Sequence, residues 1–520
     1  MDEGHATSLA PGVAWLRAPA FGRGALGEGR GRLGAVTLPA VAFVVGALVL
    51  AALFSASPTF TFAGGLGGDG FLYAQWIRAY RGDVQDIGLH AYSAQRVIAI
   101  VVVRTILDLA HAEPTNEAII RVFRVLDAAC IIAALGFTCL STRFLGLTRA
   151  GFLVAIFATY FNYAFLSFLP FDPVLTDSMA VLASACAGWL YLARRPVALA
   201  CTTIVASFVW PGFGYAGIAM LLLPRAPAGP RAATPDATPH MADHALAALA
   251  AAALTVAAAG HAADPVKYEM QPTSMSLLRL SLGLLAVLGF AALRDLVRVG
   301  HLARELARLD RDALVGKALA IVVYGAVSWG IAWVSARAAE KVEQHLNLGA
   351  RDVIGAVLAR AVQRPLVFVW AHASYFGPVV PMLVLAWRGA CAEARRVGAG
   401  VWAVLGLAFV LGLNAESRGL FTAIPIVAPL AVLSAARWPW TPRRLLELGA
   451  IFLGASKLWY SVVQQPTLDW STYFAHFGPW MSNGAVLVHA IATLAVLGWM
   501  LWLRGQSPPA GERIALATTP

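Results

Sequence analysis

The sequence predicts an all-α fold, a polytopic membrane helical bundle of about 13–14 spanning or half-spanning helices. Three observations predict it. Of 520 residues, 59% are hydrophobic and only 13% are charged, whereas soluble domains carry about 25% charged residues. Long apolar runs recur along the whole chain, each near or below the roughly 20 residues a spanning helix needs. The arginines gather in short loops between those runs, the pattern of the positive-inside rule.

The apolar runs fall near 38–55, 119–140, 150–169, 175–193, 197–223, 244–262, 274–293, 314–335, 366–387, 399–413, 419–436, 446–462 and 484–503. The segment 94–111 carries Arg96, Arg104 and Asp108. A charge at a span centre costs on the order of 3 kcal/mol. This segment is therefore expected to be an amphipathic or re-entrant helix, with Arg104 and Asp108 paired at i,i+4. In 197–223 the stretch FVWPGFGY holds Pro211 followed by Gly212 and Gly214 and predicts a broken hairpin that enters the membrane and returns. With those two assignments, Arg143, Arg194, Arg294–Arg311, Arg388–Arg396, Arg437–Arg444 and Arg504 all fall on one side.

That side is expected to be cytoplasmic. Residues 1–36 read as a disordered cytoplasmic tail, 37–505 as one transmembrane domain with 57–118 as its first outer loop, and 506–520 as a second cytoplasmic tail. The first span reads as an uncleaved anchor, because the tail before it is long and glycine-rich. The net charge of +11 is accounted for by topology. No basic stripe with interleaved aromatics lies on a polar segment, so no nucleic-acid partner is expected. GRGALG at 22–27 matches a dinucleotide-binding pattern but has no βαβ unit around it. The cysteines, Cys130, Cys139, Cys186, Cys201 and Cys391, show no metal spacing. No metalloprotease, ATPase or lipase motif is present.

With this sidedness nearly every group able to carry chemistry lies in an outer loop. Asp69 stands among glycines before FLYAQWIRAY, where Leu72, Trp76, Ala79 and Tyr80 share one helical face suited to the membrane interface. It reads either as a helix cap or as a general base. Asp172 and Asp177 lie in LPFDPVLTDSMA, as helix-end residues or as groups that position an acceptor or a metal ion. Arg96, with His90 and Gln95, forms a polar cluster at an apolar boundary; a guanidinium there either snorkels or binds a phosphate through its forked donors. Glu416 and Arg418 stand in NAESRGLF, either as caps of the next helix or with Arg418 completing a cationic site with Arg96. His476 lies in an aromatic-rich loop, 469–483. Loop 337–365 carries an amphipathic pattern at Val353, Ile354, Val357, Leu358 and Val362, expected on the membrane surface. Asp127 lies inside a span with Arg124 as a candidate partner.

The order and sidedness of Asp69-Gly70-Phe71, Gln95-Arg96 and Glu416-Ser417-Arg418 resemble the GT-C superfamily of membrane glycosyltransferases, in a poorly characterised bacterial branch. The resemblance covers 38–225 best. It implies a polyprenyl-phosphate-linked sugar donor, an envelope lipid, glycan or protein acceptor, and a site on the outer face of a bacterial inner membrane. Asp69 would be the base, and Arg96 and Arg418 would bind the lipid phosphate; from the residues themselves His90, Gln95, Glu416 and His476 are candidate substrate contacts, the His476 loop reading as an aromatic belt or as a sugar-stacking surface. Many members have two adjacent acidic residues in the first loop, whereas Gly70 follows Asp69 here, so a divalent metal stays an open option and no cofactor is otherwise expected. Protein partners are not specified. The alternatives are a lipid or solute transporter, or a non-catalytic envelope-assembly protein of the same fold.

Overall fold

The computed structural model describes residues 32–59, 62–83, 86, 94–225, 240–263, 274–338, 350–436, 438–456, 478 and 481–506. Contacts divide the chain into Met1–Val41 and Ala42–Pro520. In the first unit the described part is the start of helix α1 (Arg32–Ala56), so helix begins inside the stretch expected to be a tail. Most of that tail and of 506–520 lies outside the described residues.

In the second unit the described residues form an all-α bundle. After α1 come α2 (Gly68–Ala79), α3 (Val97–Leu109), α4 (Asn116–Leu145), α5 (Arg149–Tyr160), α6 (Asp177–Leu192), α7 (Pro196–Ser207) and α8 (Phe213–Leu222). Then follow α9 (Met241–Ala262), α10 (Met275–Leu296), α11 (Val299–Ala307), α12 (Arg311–Ala338), α13 (Ala350–Val362) and α14 (Val367–Phe376). The chain ends with α15 (Val379–Leu385), α16 (Trp387–Val397), α17 (Ala399–Leu411), α18 (Ile424–Ser434), α19 (Pro442–Ala455) and α20 (Asn483–Gly505).

Helices lie over the expected apolar runs, but many are short or bent. Among the described residues five helices are long and apolar enough to cross a membrane, those at Leu38–Ala56, Met241–Ala262, Met275–Leu296, Arg311–Arg337 and Asn483–Gly505. The expected span 150–169 is α5 followed by a wider π-type turn over Ala164–Phe168, bent by 51°. The expected span 366–387 is cut into α14 and α15, because Gly377 takes a positive φ and Pro378 follows it. Helix α13 meets α14 at 101°. Its apolar face, with Val357, Leu358 and Val362, is not spread on a membrane surface. It is buried against Ala258 and Ala262 of α9 and Leu285 of α10.

The segment 197–223 is a hairpin. Helices α7 and α8 are 12 and 10 residues long, about 18 and 15 Å, half of a roughly 30 Å hydrocarbon core. Gly212 supplies the turn with φ 85°, a conformation that costs other residues a strained backbone. Gly214 lies against Ser207 and Gly217 against Thr203, the pairing of antiparallel neighbours. At the open end Arg225 donates to the Leu192 carbonyl at 2.7 Å.

The basic loops do gather on one face. Arg308 donates to Pro224 O (3.2 Å), Arg395 to Asp295 O (3.0 Å), Arg504 to Leu385 O (3.4 Å) and Arg444 to Gln506 Oε1 (3.1 Å). Helix α6 runs from Asp177 to this face. Its 16 residues separate Asp177 from Arg194 by about 24 Å, so the acidic stretch lies at the opposite end of the bundle.

A methyl group at Gly217 would overlap the Thr203 side chain. Gly217→Ala is therefore expected to cost about 1–3 kcal/mol, read as a lower melting temperature in detergent. Adding Thr203→Ala should recover part of the loss. A Gly217→Ala protein as stable as the wild type would contradict the hairpin packing.

Candidate functional site

At the face opposite the basic loops four charged side chains from four segments meet. Asp69 stands in the first turn of α2, Arg96 just before α3, Asp177 at the first residue of α6, and Arg418 in a single 3-10 turn, Ser417–Leu420, between α17 and α18. Arg418 is the hinge of the group. Its Nε donates to Asp177 Oδ1 at 3.3 Å and its Nη2 to Asp177 Oδ2 at 3.2 Å. The same Nη2 donates to Asp69 Oδ2 at 3.0 Å. Arg96 Nη1 lies 3.6 Å from Asp69 Oδ2.

Exposure separates the two carboxylates. The Asp177 side chain is fully buried, while that of Asp69 is 40% exposed. Asp69 is thus the carboxylate open to a ligand. Partial burial pushes its carboxyl up, but Arg418 and then Arg96 outweigh burial and hold it below the usual carboxylate range. It is ionised at neutral and mildly acidic pH. It is not the helix cap: Gly67 occupies that position, with φ 73° and no side-chain bond. The carboxylate of Asp172 backs Gly67, where a Cβ would come within 2.5 Å of Asp172 Oδ1.

The surrounding chain explains why these groups converge. Helix α2 buries Gly70, Tyr73, Ala74 and Ile77, while Leu72 of the expected interfacial face is exposed. On the buried side the Tyr73 hydroxyl accepts from Arg96 Nη1. Arg96 also lies over the Trp210 ring, 5.3 Å from its centroid, and Ile98 N–H donates to Phe208 O at 3.1 Å. The tip of the α7–α8 hairpin thus carries the Arg96 segment. Helix α3 is held to α2 by Arg104, which donates to Asp108 at 2.9 and 3.1 Å, as its spacing predicts, and to Ile77 O at 3.3 Å.

The Arg418 turn is held from below. His372 on α14 is buried, with Nε2 2.8 Å from Gly412 O and Nδ1 3.0 Å from Ser417 Oγ. A carbonyl only accepts, so Nε2 carries the proton and Nδ1 of the neutral ring accepts from Ser417. Phe421 packs edge-on against Phe165 and Phe376, with centroids 5.7 and 5.8 Å away.

Several expected sites stand elsewhere. Glu416 faces Arg360 at 3.5 Å and makes no side-chain cap bond to the turn that follows it. Gln95 is half-buried beside Arg96. His90 and His476 lie outside the described residues. Arg124 does not pair with Asp127: it donates to Ser57 O. Asp127 is buried in α4, facing Ser178, with Asp177 and Asp172 as neighbouring carboxylates. Tyr73 and His372 escaped the sequence reading. Tyr73 is off the apolar stripe of α2, and His372 is a lone polar residue in an apolar run.

Among the described residues no three His, Cys, Asp or Glu side chains converge to hold a metal ion. Asp69 and Asp177 converge on a guanidinium instead. A Cβ at Gly70 would lie 2.7–2.9 Å from Val174, backbone included, so α2 could not seat there with a carboxylate beside Asp69. The described residues do not fit a metal at Asp69.

No family's sequence model and no curated protein match the chain. Among solved structures it is similar to the archaeal oligosaccharyltransferase AglB from Archaeoglobus fulgidus, solved with an inhibitory peptide and a dolichol-phosphate. The TM-score is 0.39 and the identity 14%, over 92% of this chain and 59% of that one. The chain thus spans less than two thirds of that protein's length, and a likeness this loose carries no argument about the site.

Removing Arg418 would leave Asp177 buried and unpaired. Arg418→Ala is expected to cost about 3–5 kcal/mol of stability, and Arg418→Ala with Asp177→Asn should cost less than Arg418→Ala alone. Thermal melts of the purified variants test this. Equal losses in both would show that Asp177 does not depend on Arg418.

Proposed function

We propose that this protein is a membrane glycosyltransferase that moves a hexosyl or pentosyl group from a polyprenyl-phosphate donor to an envelope acceptor. The observation that carries the reading is the half-exposed Asp69 carboxylate held between two guanidiniums at one end of a helical bundle. A base and two anion-binding groups within one site suit a reaction that removes a proton and releases a phosphate. The positive-inside rule puts the basic face in the cytoplasm, so the site faces the periplasm or exterior, with both termini cytoplasmic.

In this reading Asp69 takes the proton of an acceptor hydroxyl. The hydroxyl oxygen bonds to the anomeric carbon, and the bond from that carbon to the phosphate oxygen breaks. The lipid phosphate leaves with the electron pair, and the configuration inverts. Arg96 and Arg418 stabilise the added negative charge, and the forked donors of Arg suit a phosphate better than Lys does. Asp69 bound by two arginines is a weak base. When the donor phosphate draws Arg418 toward itself, Asp69 loses part of its cationic partner and becomes more basic. Asp177, buried behind Arg418, keeps its own pair with that guanidinium as it turns from Asp69 to the phosphate. Asp172 supports the Gly67 turn and so positions Asp69.

A transporter would use carboxylates within the membrane, and Asp127 inside α4 is one. The four-residue cluster is instead built from helix ends at one face, the arrangement of a surface site. The transferase reading accounts for it and the transporter reading does not.

Asp69→Asn keeps the shape of the side chain but cannot accept the proton. It is expected to lower turnover by about 10²–10⁴-fold in a protein that still inserts and folds. Arg96→Lys should be partly defective and Arg96→Ala more so. Near-normal glycan product from the Asp69→Asn protein, assayed with a polyprenyl-phosphate sugar, would remove Asp69 from the chemistry.

A further inference from the structure

A second feature lies away from the charged cluster. A cavity of about 520 Å³ runs between α10, α14, α15, α17 and α18. Its size is that of a small-molecule or lipid-chain pocket. The walls are aliphatic and aromatic, Leu285, Leu383, Phe409 and Val427 among them. One end is bounded by His372 and Leu420, and both ring nitrogens of His372 are already engaged, by Gly412 and Ser417. A polar ligand would find no partner there, so the interior suits a hydrocarbon chain.

The other end reaches the basic face, where Arg294, Arg388 and Arg504 line the cavity. Among the described residues Arg388 is exposed and makes no hydrogen bond or ion pair. Arg504 makes one long bond to a backbone carbonyl, at 3.4 Å. Arg294 faces Asp295 loosely, at 3.7 Å. Three guanidiniums against one carboxylate leave the mouth positive. Basic pockets between membrane helices at this depth are suited to anionic lipid heads.

We propose that this cavity binds an anionic phospholipid of the leaflet bordering the basic face, with its phosphate at Arg294, Arg388 and Arg504 and an acyl chain along the apolar walls. The charge at the mouth selects the occupant. A zwitterionic lipid would gain little from three cations. A polyprenyl phosphate held at Arg418 would have to enter from the opposite face, past His372 and Ser417. The bound lipid would fill the space between α10 and α17 and tie α20 to them through Arg504.

The test uses the delipidated full chain in detergent, incubated with equal amounts of dioleoyl-phosphatidylglycerol and dioleoyl-phosphatidylcholine. The lipid retained after gel filtration is then quantified. The wild type is expected to retain phosphatidylglycerol preferentially. Arg388→Ala and Arg504→Ala should each reduce that preference about fivefold, the worth of one cation at an anionic surface. Arg388→Lys with Arg504→Lys should keep it, and Arg443→Ala, an 87% exposed arginine paired with Glu447 elsewhere, should leave it unchanged. Equal retention of the two lipids by the wild type, or a preference that survives Arg388→Ala with Arg504→Ala, would overturn the proposal. So would displacement of phosphatidylglycerol by farnesyl phosphate that is lost in Arg418→Ala but not in Arg388→Ala, since the cavity would then belong to the donor chain.

Discussion

The arrangement of the site depends on one guanidinium shared by two carboxylates. Asp177 is fully buried at the start of α6, and a buried charge without a partner is strongly destabilising. Arg418 supplies the partner from a segment 241 residues away and reaches Asp69, 349 residues away, through the same Nη2. Closing these contacts seats α2 of the first loop on the bundle. The supports fit that role. His372 and Phe421 fix the Arg418 turn, Val174 fits against Gly70, and Tyr73 with Trp210 holds Arg96.

The same economy of charge suggests how the cluster responds to a ligand. Two arginines and two aspartates balance at rest, so the cluster is stable without substrate. In the proposed reaction an incoming phosphate must compete with a carboxylate for Arg418. The more exposed competitor, Asp69, yields more readily than the buried Asp177. Ground-state binding is thereby weakened, while the group that gives way is left better able to accept a proton. Interactions that strengthen only as the reaction proceeds are the ones that raise a rate.

The local parts of this arrangement were legible in the sequence. The i,i+4 spacing gave Arg104–Asp108, Pro211 and Gly212 gave the hairpin, and arginine placement gave the basic face. Asp69, Arg96, Asp177 and Arg418 stood out as charges at apolar boundaries, because such positions are costly without a partner. Their pairing was not legible, since nothing in spacing joins residues hundreds of positions apart. Neighbourhood in sequence also misled: Arg124 bonds the Ser57 carbonyl rather than Asp127. Span lengths were overestimated where hydropathy continues through a backbone break, as at Gly377-Pro378. Loop 337–365 was expected on the membrane surface because amphipathicity does not say which partner covers the apolar face.

The central claim is that Asp69 and the donor phosphate compete for Arg418. The affinity of purified Asp69→Asn protein for polyprenyl monophosphate, compared with that of the wild type, tests it most directly. Removing the competing charge should tighten phosphate binding several-fold even as sugar transfer falls. Unchanged or weaker binding would show that Arg418 is not shared between the two, and the account would fail.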